Sequence, residues 1–257
     1  MTTVLSEKNL ITEEQKRNYQ EEGYFILENC ILGEHLALLR ERCDGFIKKQ
    51  DADFSEKGME RIGLNAKGKR YFASNCYQKE PAIGEFLFSD LMAEICKATV
   101  GKEADLFYDQ YVVKGPDKDT SFSWHQDSGY VHIDCPMYVT CWITLDDVTL
   151  ENGTVYLLPY SQVGIRSVVN HIRDPHTNDM VGYFGKDPGL PVIVPAGSIA
   201  VFSSYVFHRS GPNLTDKLRR VYVAQYSNCV IHNREGKQTG QAVPFLKNGQ
   251  IVWTKPS

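Results

Sequence analysis

The chain has no apolar stretch long enough to span a bilayer, so no membrane-crossing helix is expected. Its first residues, Met1 to Lys8, lack a basic segment followed by an apolar one, which argues against a secretory leader. Cys-x-x-Cys pairs are absent. The seven cysteines, Cys30, Cys43, Cys76, Cys96, Cys135, Cys141 and Cys229, are odd in number and scattered. That pattern argues against a disulfide frame or a cysteine zinc site and fits reduced thiols in the cytoplasm. No long block of one charge occurs, and 28 Lys and Arg stand against 32 Asp and Glu for a net charge of −4. A general nucleic-acid binder would show a basic balance instead. Internal repeats and low-complexity tracts are also missing.

What is present is ordinary soluble chain, 42% hydrophobic over 257 residues, with 14 Tyr, 12 Phe and 3 Trp. This aromatic content suits a β-dominated core or an aromatic-lined pocket. Thr12 to Gln15 reads as a capping box, opening a short helix that Gly23 ends. A strand is expected at 24–27, a second helix from Gly33 to about Gln50, and a third over 85–100. Residues 51–80 are polar and irregular and read as a loop. From about residue 105 the pattern changes. Segments 106–114, 138–145, 155–158, 191–194, 198–203 and 218–227 are rich in β-branched and aromatic residues between turn formers. We expect one domain over 1–257: a helical flank (1–104) and a jelly-roll core (105–230), mainly β, of the double-stranded β-helix type. The long interval 161–190 is a candidate lid.

Two His-x-Asp triplets occur, His125-Gln126-Asp127 and His132-Ile133-Asp134. With seven His and sixteen Asp, about 0.4 such triplets arise by chance, so one can be accidental. A strand places residues i and i+2 on one face, so a triplet of this kind can give a metal one imidazole and one carboxylate. A second imidazole from a distant strand would complete the facial set of a non-haem iron oxygenase, leaving the opposite face open. Context favours the first triplet. Downstream, Gly197 turns into an apolar segment that ends at His208, and Arg219 follows eleven residues later, where it could grip a carboxylate.

From about 106 to 227 the chain resembles the phytanoyl-CoA dioxygenase family of iron(II)/2-oxoglutarate oxygenases. The residues that carry this are His125-Gln126-Asp127, Trp142, the Asn152-Gly153 turn before a segment ending in Leu158-Pro159, His208-x-Ser210-Gly211 and Arg219. The opening helix followed by Gly23-Tyr24-Phe25 is also similar. The resemblance implies iron(II) on His125, Asp127 and His208. It implies 2-oxoglutarate with its distal carboxylate at Arg219 and Ser210, Trp142 packed nearby, and Tyr108 and Gln110 on the pocket wall. It further implies use of O2 to oxidise an unactivated C–H bond of a small molecule, coupled to formation of succinate and CO2. One departure is Tyr160-Ser161-Gln162, where the family usually has Gly-Ser-His or Gly-Thr-His. This places a difference on the expected substrate side.

Other functions fit the same residues less well. A halogenase needs a small residue where Asp127 stands, and a redox-inactive jelly roll has no need of Arg219 with Ser210; a non-catalytic scaffold would not keep an intact triad. His132 with Asp134 reads as a surface or substrate-facing pair, and His35 as solvent-facing. His171 and His176, with Arg166 and Arg173, read as a solvated basic loop, or else as a lid meeting an acidic group on the substrate. Arg220 is expected on the face opposite Arg219, and Trp124 in the core.

Overall fold

Thr12 starts the first helix, α1 (Glu13–Glu22). Its hydroxyl accepts from the Gln15 N–H, and the Gln15 side chain accepts from the Thr12 N–H in return. Gly23 closes the helix with φ +85°, so a left-handed residue turns the chain straight into β1 (Tyr24–Leu27). The computed structural model describes residues 10–119, 121–132, 134–175 and 179–256.

After β1 come α2 (Gly33–Lys57), the short strands β2 (Arg61–Ile62), β3 (Asn65–Ala66) and β4 (Arg70–Ser74), and the turn α3 (Cys76–Lys79). The loop expected at 51–80 is therefore not a loop. Phe54 is buried at the end of α2 and carries the helix on to Gly58, which caps it at φ +60°. β4 pairs along β5. It looks irregular in sequence because one face of the strand, with Arg70, Phe72 and Ser74, lines a cavity and mixes polar with apolar side chains. The third helix is also broken: a 3-10 turn (Pro81–Ile83) leads into α4 (Gly84–Leu87), and Ser89 then starts α5 (Asp90–Thr99).

The β half follows as β5 (Ala104–Lys114), β6 (Phe122–His125), β7 (Val139–Thr144), β8 (Val155–Leu158), the turn α6 (Tyr160–Val163), β9 (Ile172–Arg173), β10 (Met180–Val181), β11 (Leu190–Pro191), β12 (Ile199–Ser203), β13 (Phe207–Ser210), β14 (Arg219–Ser227), β15 (Val243–Lys247) and β16 (Gln250–Ile251). The larger sheet runs β1-β12-β7-β14-β5-β4-β3-β2, with β15 added to the start of β5. The smaller sheet runs β11-β8-β13-β6. Every pairing is antiparallel, as the expected jelly roll requires. Strands also come from outside 105–230: β1 and β4 precede that span, and β15 follows it. Of the expected 191–194 strand only Pro191 is in a strand, at the end of β11 (Leu190–Pro191), with Val194 bridging alone to Val148.

The larger sheet separates two cores. Behind it, Leu39, Phe86, Met92, Ile143 and Tyr222 pack between sheet and helices. Between the sheets, Trp142, Val155, Leu157, Phe202, Val221 and Val223 fill the closed end of the jelly roll. Alternation along β14 explains the division: Arg219, Val221, Val223 and Gln225 face the interior, whereas Tyr222, Ala224 and Tyr226 join the rear core. No described helix is long and apolar enough to cross a membrane.

Gly23 offers a direct test of how the first helix joins the jelly roll. A Cβ there would lie 2.5 Å from Val206 Cγ2 and 2.7 Å from the Tyr160 ring, on backbone already at φ +85°. We expect Gly23→Ala to lose roughly 2–4 kcal/mol from the combined strain and overpacking. Gly58→Ala, with open space around it, should lose only about 1 kcal/mol. Urea unfolding of the two variants reads the difference; equal losses would contradict the steric account.

Candidate metal centre and cosubstrate pocket

β13 and β6 are neighbours in the smaller sheet, and their register sets His208 directly opposite His125. The two rings lie 4.2 Å apart, centroid to centroid. β6 ends at His125, but Gln126 keeps extended dihedrals (φ −107°, ψ 140°). The alternation expected of a strand therefore persists one residue further, although Asp127 already opens a 3-10 turn (Asp127–Tyr130). One ligand atom each from His125, Asp127 and His208 falls within 4.8 Å of the other two. Asp127 Oδ1 is 3.5 Å from His208 Nε2.

The hydrogen bonds orient this group. His125 Nδ1 lies 2.7 Å from the Ser123 carbonyl and His208 Nδ1 3.1 Å from that of Val206. A carbonyl only accepts, so both Nδ1 atoms carry a proton, and in each neutral ring Nε2 is the nitrogen whose lone pair is left for a metal. Burial pushes the His125 imidazole down to about 3, with His208 adding to the effect, so it is neutral at physiological pH. Burial alone would raise the Asp127 carboxyl. His208, His125 and the Thr140 hydroxyl outweigh it and hold the group at about 2. Asp127 Oδ2 accepts from Thr140 Oγ1 (2.5 Å) and Gln225 Nε2 (3.0 Å), which leaves Oδ1 turned toward the imidazoles. Two imidazole lone pairs and one carboxylate oxygen are thus aimed together, a donor set that fits a non-haem iron(II).

The same cavity, about 720 Å3, reaches Arg219, Ser210, Trp142, Gln110 and Tyr108. Arg219 is 2% exposed, with its guanidinium 5.6 Å from the centre of the Trp142 ring. It donates to the Gly153 carbonyl at 3.2 Å, while Nε and Nη1 are buried with no partner among the described residues. Such orphaned donors fit a carboxylate, and burial has lowered the pKa of this guanidinium to about 10. Gly153 must be glycine, because a Cβ at its φ of +81° would meet the Gly211 carbonyl at 2.8 Å. Arg220 points the other way, as expected, and makes a forked ion pair with Asp146 and a further one with Asp44.

Several expectations need correcting. His171 is not a solvated basic group: burial lowers its pKa, its Nε2 accepts the Gln126 N–H at 2.9 Å, and Gly129 and Gly182 close tightly around the ring. Arg166 does not face the cavity. It donates to the carbonyls of Gln20 and Glu21 at the end of α1 and lies over Tyr160. The Tyr160-Ser161-Gln162 segment likewise turns to α1, with the Ser161 N–H on Glu22, and is not on the cavity wall. Arg173 does line the cavity. His176 lies outside the described residues. His35 is half-buried against Phe86 rather than solvent-facing. His132 binds the His232 carbonyl and takes no part in the triad. Trp124 is half-buried between Arg209 and Tyr183 instead of in the core. Thr140 and Gln225 were missed, although strand alternation from Arg219 reaches Gln225 in three steps.

The family model for phytanoyl-CoA dioxygenase (PhyH) matches residues 19–221. The chain belongs to the phytanoyl-CoA dioxygenase family. Phytanoyl-CoA dioxygenase 1 of Oryza sativa subsp. japonica is 22% identical over 238 residues, covering 80% of this chain and 85% of the relative. Ectoine dioxygenase of Bordetella bronchiseptica is also 22% identical, over 80% of this chain and 71% of that protein. The carbocyclase SnoK from nogalamycin biosynthesis superposes with a TM-score of 0.69 at 18% identity, over 87% of each chain. EvdO2 from Micromonospora carbonacea var. aurantiaca, solved with 2-oxoglutarate, gives 0.65 at 22% identity over 95% and 98%. These likenesses show the jelly-roll fold. The family member described here is an iron(II)- and 2-oxoglutarate-dependent dioxygenase acting on a small molecule.

His171 yields a prediction of its own. Loss of its ring in His171→Ala strands the buried Gln126 N–H, at a cost of about 1–3 kcal/mol. The segment 161–190 should then exchange amide hydrogens faster, together with residues 126–130. Protection that falls in the segment alone would show that the two are not coupled.

Proposed function

We propose that His125, Asp127 and His208 hold the iron of this dioxygenase. In the same reading, Arg219 and Ser210 hold the distal carboxylate of 2-oxoglutarate over Trp142, with Tyr108 and Gln110 on the wall. One observation carries it: two imidazole lone pairs and one carboxylate oxygen converge in a cavity that also contains the orphaned donors of a buried arginine. When bound, the iron and cosubstrate supply the oxidising chemistry, in which 2-oxoglutarate and O2 give succinate, CO2 and an oxidised C–H position on the substrate.

The chain's own residues prepare this chemistry. The Ser123 and Val206 carbonyls fix the imidazole tautomers, and Thr140 with Gln225 fixes the carboxylate. Tyr130 against His125 and Phe202 against His208 screen the rings from water. The half-buried Gln110 side chain accepts from the Tyr108 hydroxyl at 3.4 Å, which steadies that wall. For the substrate we propose a small molecule with an acidic group that meets Arg173, the one arginine of the 161–190 segment on the cavity wall. The segment acts as a lid hinged on the His171 anchor. A cytoplasmic setting is supported by seven unpaired cysteines, five of them buried.

Alanine at His125, Asp127 or His208 should each abolish succinate formation while leaving the far-UV spectrum and folding nearly unchanged. Full turnover in any one of them would end the assignment. Arg219→Ala should raise the Michaelis constant for 2-oxoglutarate by one or more orders of magnitude, as loss of a buried charge-assisted contact is worth roughly 2–5 kcal/mol. Arg220→Ala should leave that constant alone, and equal effects would place the carboxylate elsewhere.

The acidic-group reading has a separate check. In a screen of small acids scored by succinate release, Arg173→Gln should lose the stimulation seen with wild type. Arg166→Gln should keep it and only loosen the end of α1. Normal stimulation in Arg173→Gln would remove the acidic group from the substrate description.

A further inference from the structure

Behind one part of the cavity wall lies a buried carboxylate that the iron chemistry does not use. Asp109 on β5 is fully buried. Its Oδ2 accepts from the Tyr222 hydroxyl at 2.6 Å and from the Tyr77 N–H at 3.1 Å, and its Oδ1 accepts from Gln241 Nε2 at 2.6 Å. Its backbone carbonyl accepts the Asn75 N–H at 2.8 Å. Four segments therefore meet at Asp109: β5, the turn from β4 into α3, β14 and the stretch leading into β15.

Two carboxamides on this junction line the cavity, Asn75 and Gln241. A carboxylate only accepts, so Gln241 must present its NH2 to Asp109, which turns Oε1 away. Gln241 Oε1 and Asn75 Oδ1 are both buried with no partner among the described residues. Asn75 sits on left-handed backbone and Gln241 beside it. Asn75 has φ +53°, and Gln241 lies between Gly240 at +75° and Ala242 at +52°. Non-glycine residues in the left-handed region, Asn75 and Ala242 here, persist because the surrounding fold holds them. Here β5 supplies the fixing, since the Gln241 N–H binds the Phe107 carbonyl at 2.8 Å, and a Cβ at Gly240 would strike Phe107 at 2.4 Å.

We propose that Asn75 and Gln241 are specificity-determining residues whose oxygens accept hydrogen bonds from the substrate. The substrate then carries hydroxyl or N–H donors, as a polyol, sugar or amine does, and is not a bare hydrocarbon chain. A site built to accept such donors rejects an analogue lacking them, because its buried acceptors are left unpaired. This inference rests on reading the cavity as the dioxygenase's active site. The acidic group assigned above to Arg173 meets a different element, β9.

The test uses full-length protein loaded with 2-oxoglutarate and zinc(II), a redox-inert stand-in that stops turnover. Saturation-transfer NMR is run on a panel of polyols, aldoses and amino sugars, each paired with its O- or N-methylated counterpart, together with straight-chain acids. Donor-bearing parents should bind, and their methylated counterparts should bind roughly tenfold more weakly. Gln241→Met should weaken the parents by a similar factor with the 2-oxoglutarate affinity unchanged. Because Gln241→Met also uncovers Asp109, Asn75→Gly serves as the variant safe for folding: glycine accepts φ +53° and removes only the carboxamide. Equal binding of parents and counterparts, unchanged affinity in both variants, or binding confined to the straight-chain acids would overturn the proposal. So would a panel in which no parent binds to protein that still binds 2-oxoglutarate. Failure of wild type to bind 2-oxoglutarate would instead bring down the reading of the cavity itself.

Discussion

Antiparallel pairing of β13 with β6 sets His208 across from His125, and most of the interior is arranged to serve that one juxtaposition. The facing sheet answers with β14, whose inward residues run from Arg219 at the closed end to Gln225 beside Asp127. A slip of one residue in either pairing would turn each of these side chains to the opposite face. The apolar packing between the sheets guards against such a slip, because Val221 and Val223 share the inward face of β14 with Arg219 and Gln225.

Burying so many polar groups in one cavity is tolerable only because nearly all are partnered. Asp127 has two neutral donors on one oxygen, and Gln126 is fully buried with its amide spread over Ser167, Val169 and Tyr205. Each bond contributes little net stability, but an unmade one in this setting is expensive. The exceptions are informative for that reason. Arg219, Asn75 and Gln241 retain unsatisfied buried atoms, and all three line the cavity.

Much of this was legible in the sequence, and the failures have physical causes. The capping box of α1, the Gly23 stop and the long strands β5, β7, β12 and β14 carry strong local signals, because each buries an apolar face. His125, Asp127, His208 and Arg219 could be named because their spacing is distinctive, and the fold does bring them into one cavity. β4 and β6 were missed because they are short and half polar, as suits strands that line a cavity walled by both polar and apolar side chains. His171 and Arg166 were misjudged for a different reason. A charged or titratable residue in a polar segment looks solvated, and only tertiary structure shows that one meets a buried peptide and the other a helix end. Asn75 and Gln241 carry no sequence signal at all: their significance comes from Asp109, distant from Gln241 in the chain.

The His171 anchor has a bearing on how the protein can be re-engineered. Segments between jelly-roll strands are attractive targets for exchange between relatives, on the view that they are interchangeable covers on a constant scaffold. Here the cover and the scaffold share a joint. The peptide between His125 and Asp127 is held by His171, and the Gln126 side chain is held by Ser167 and Val169. A transplanted segment would need to bring equivalent partners at those three positions, or the recipient's metal centre would be left without its brace.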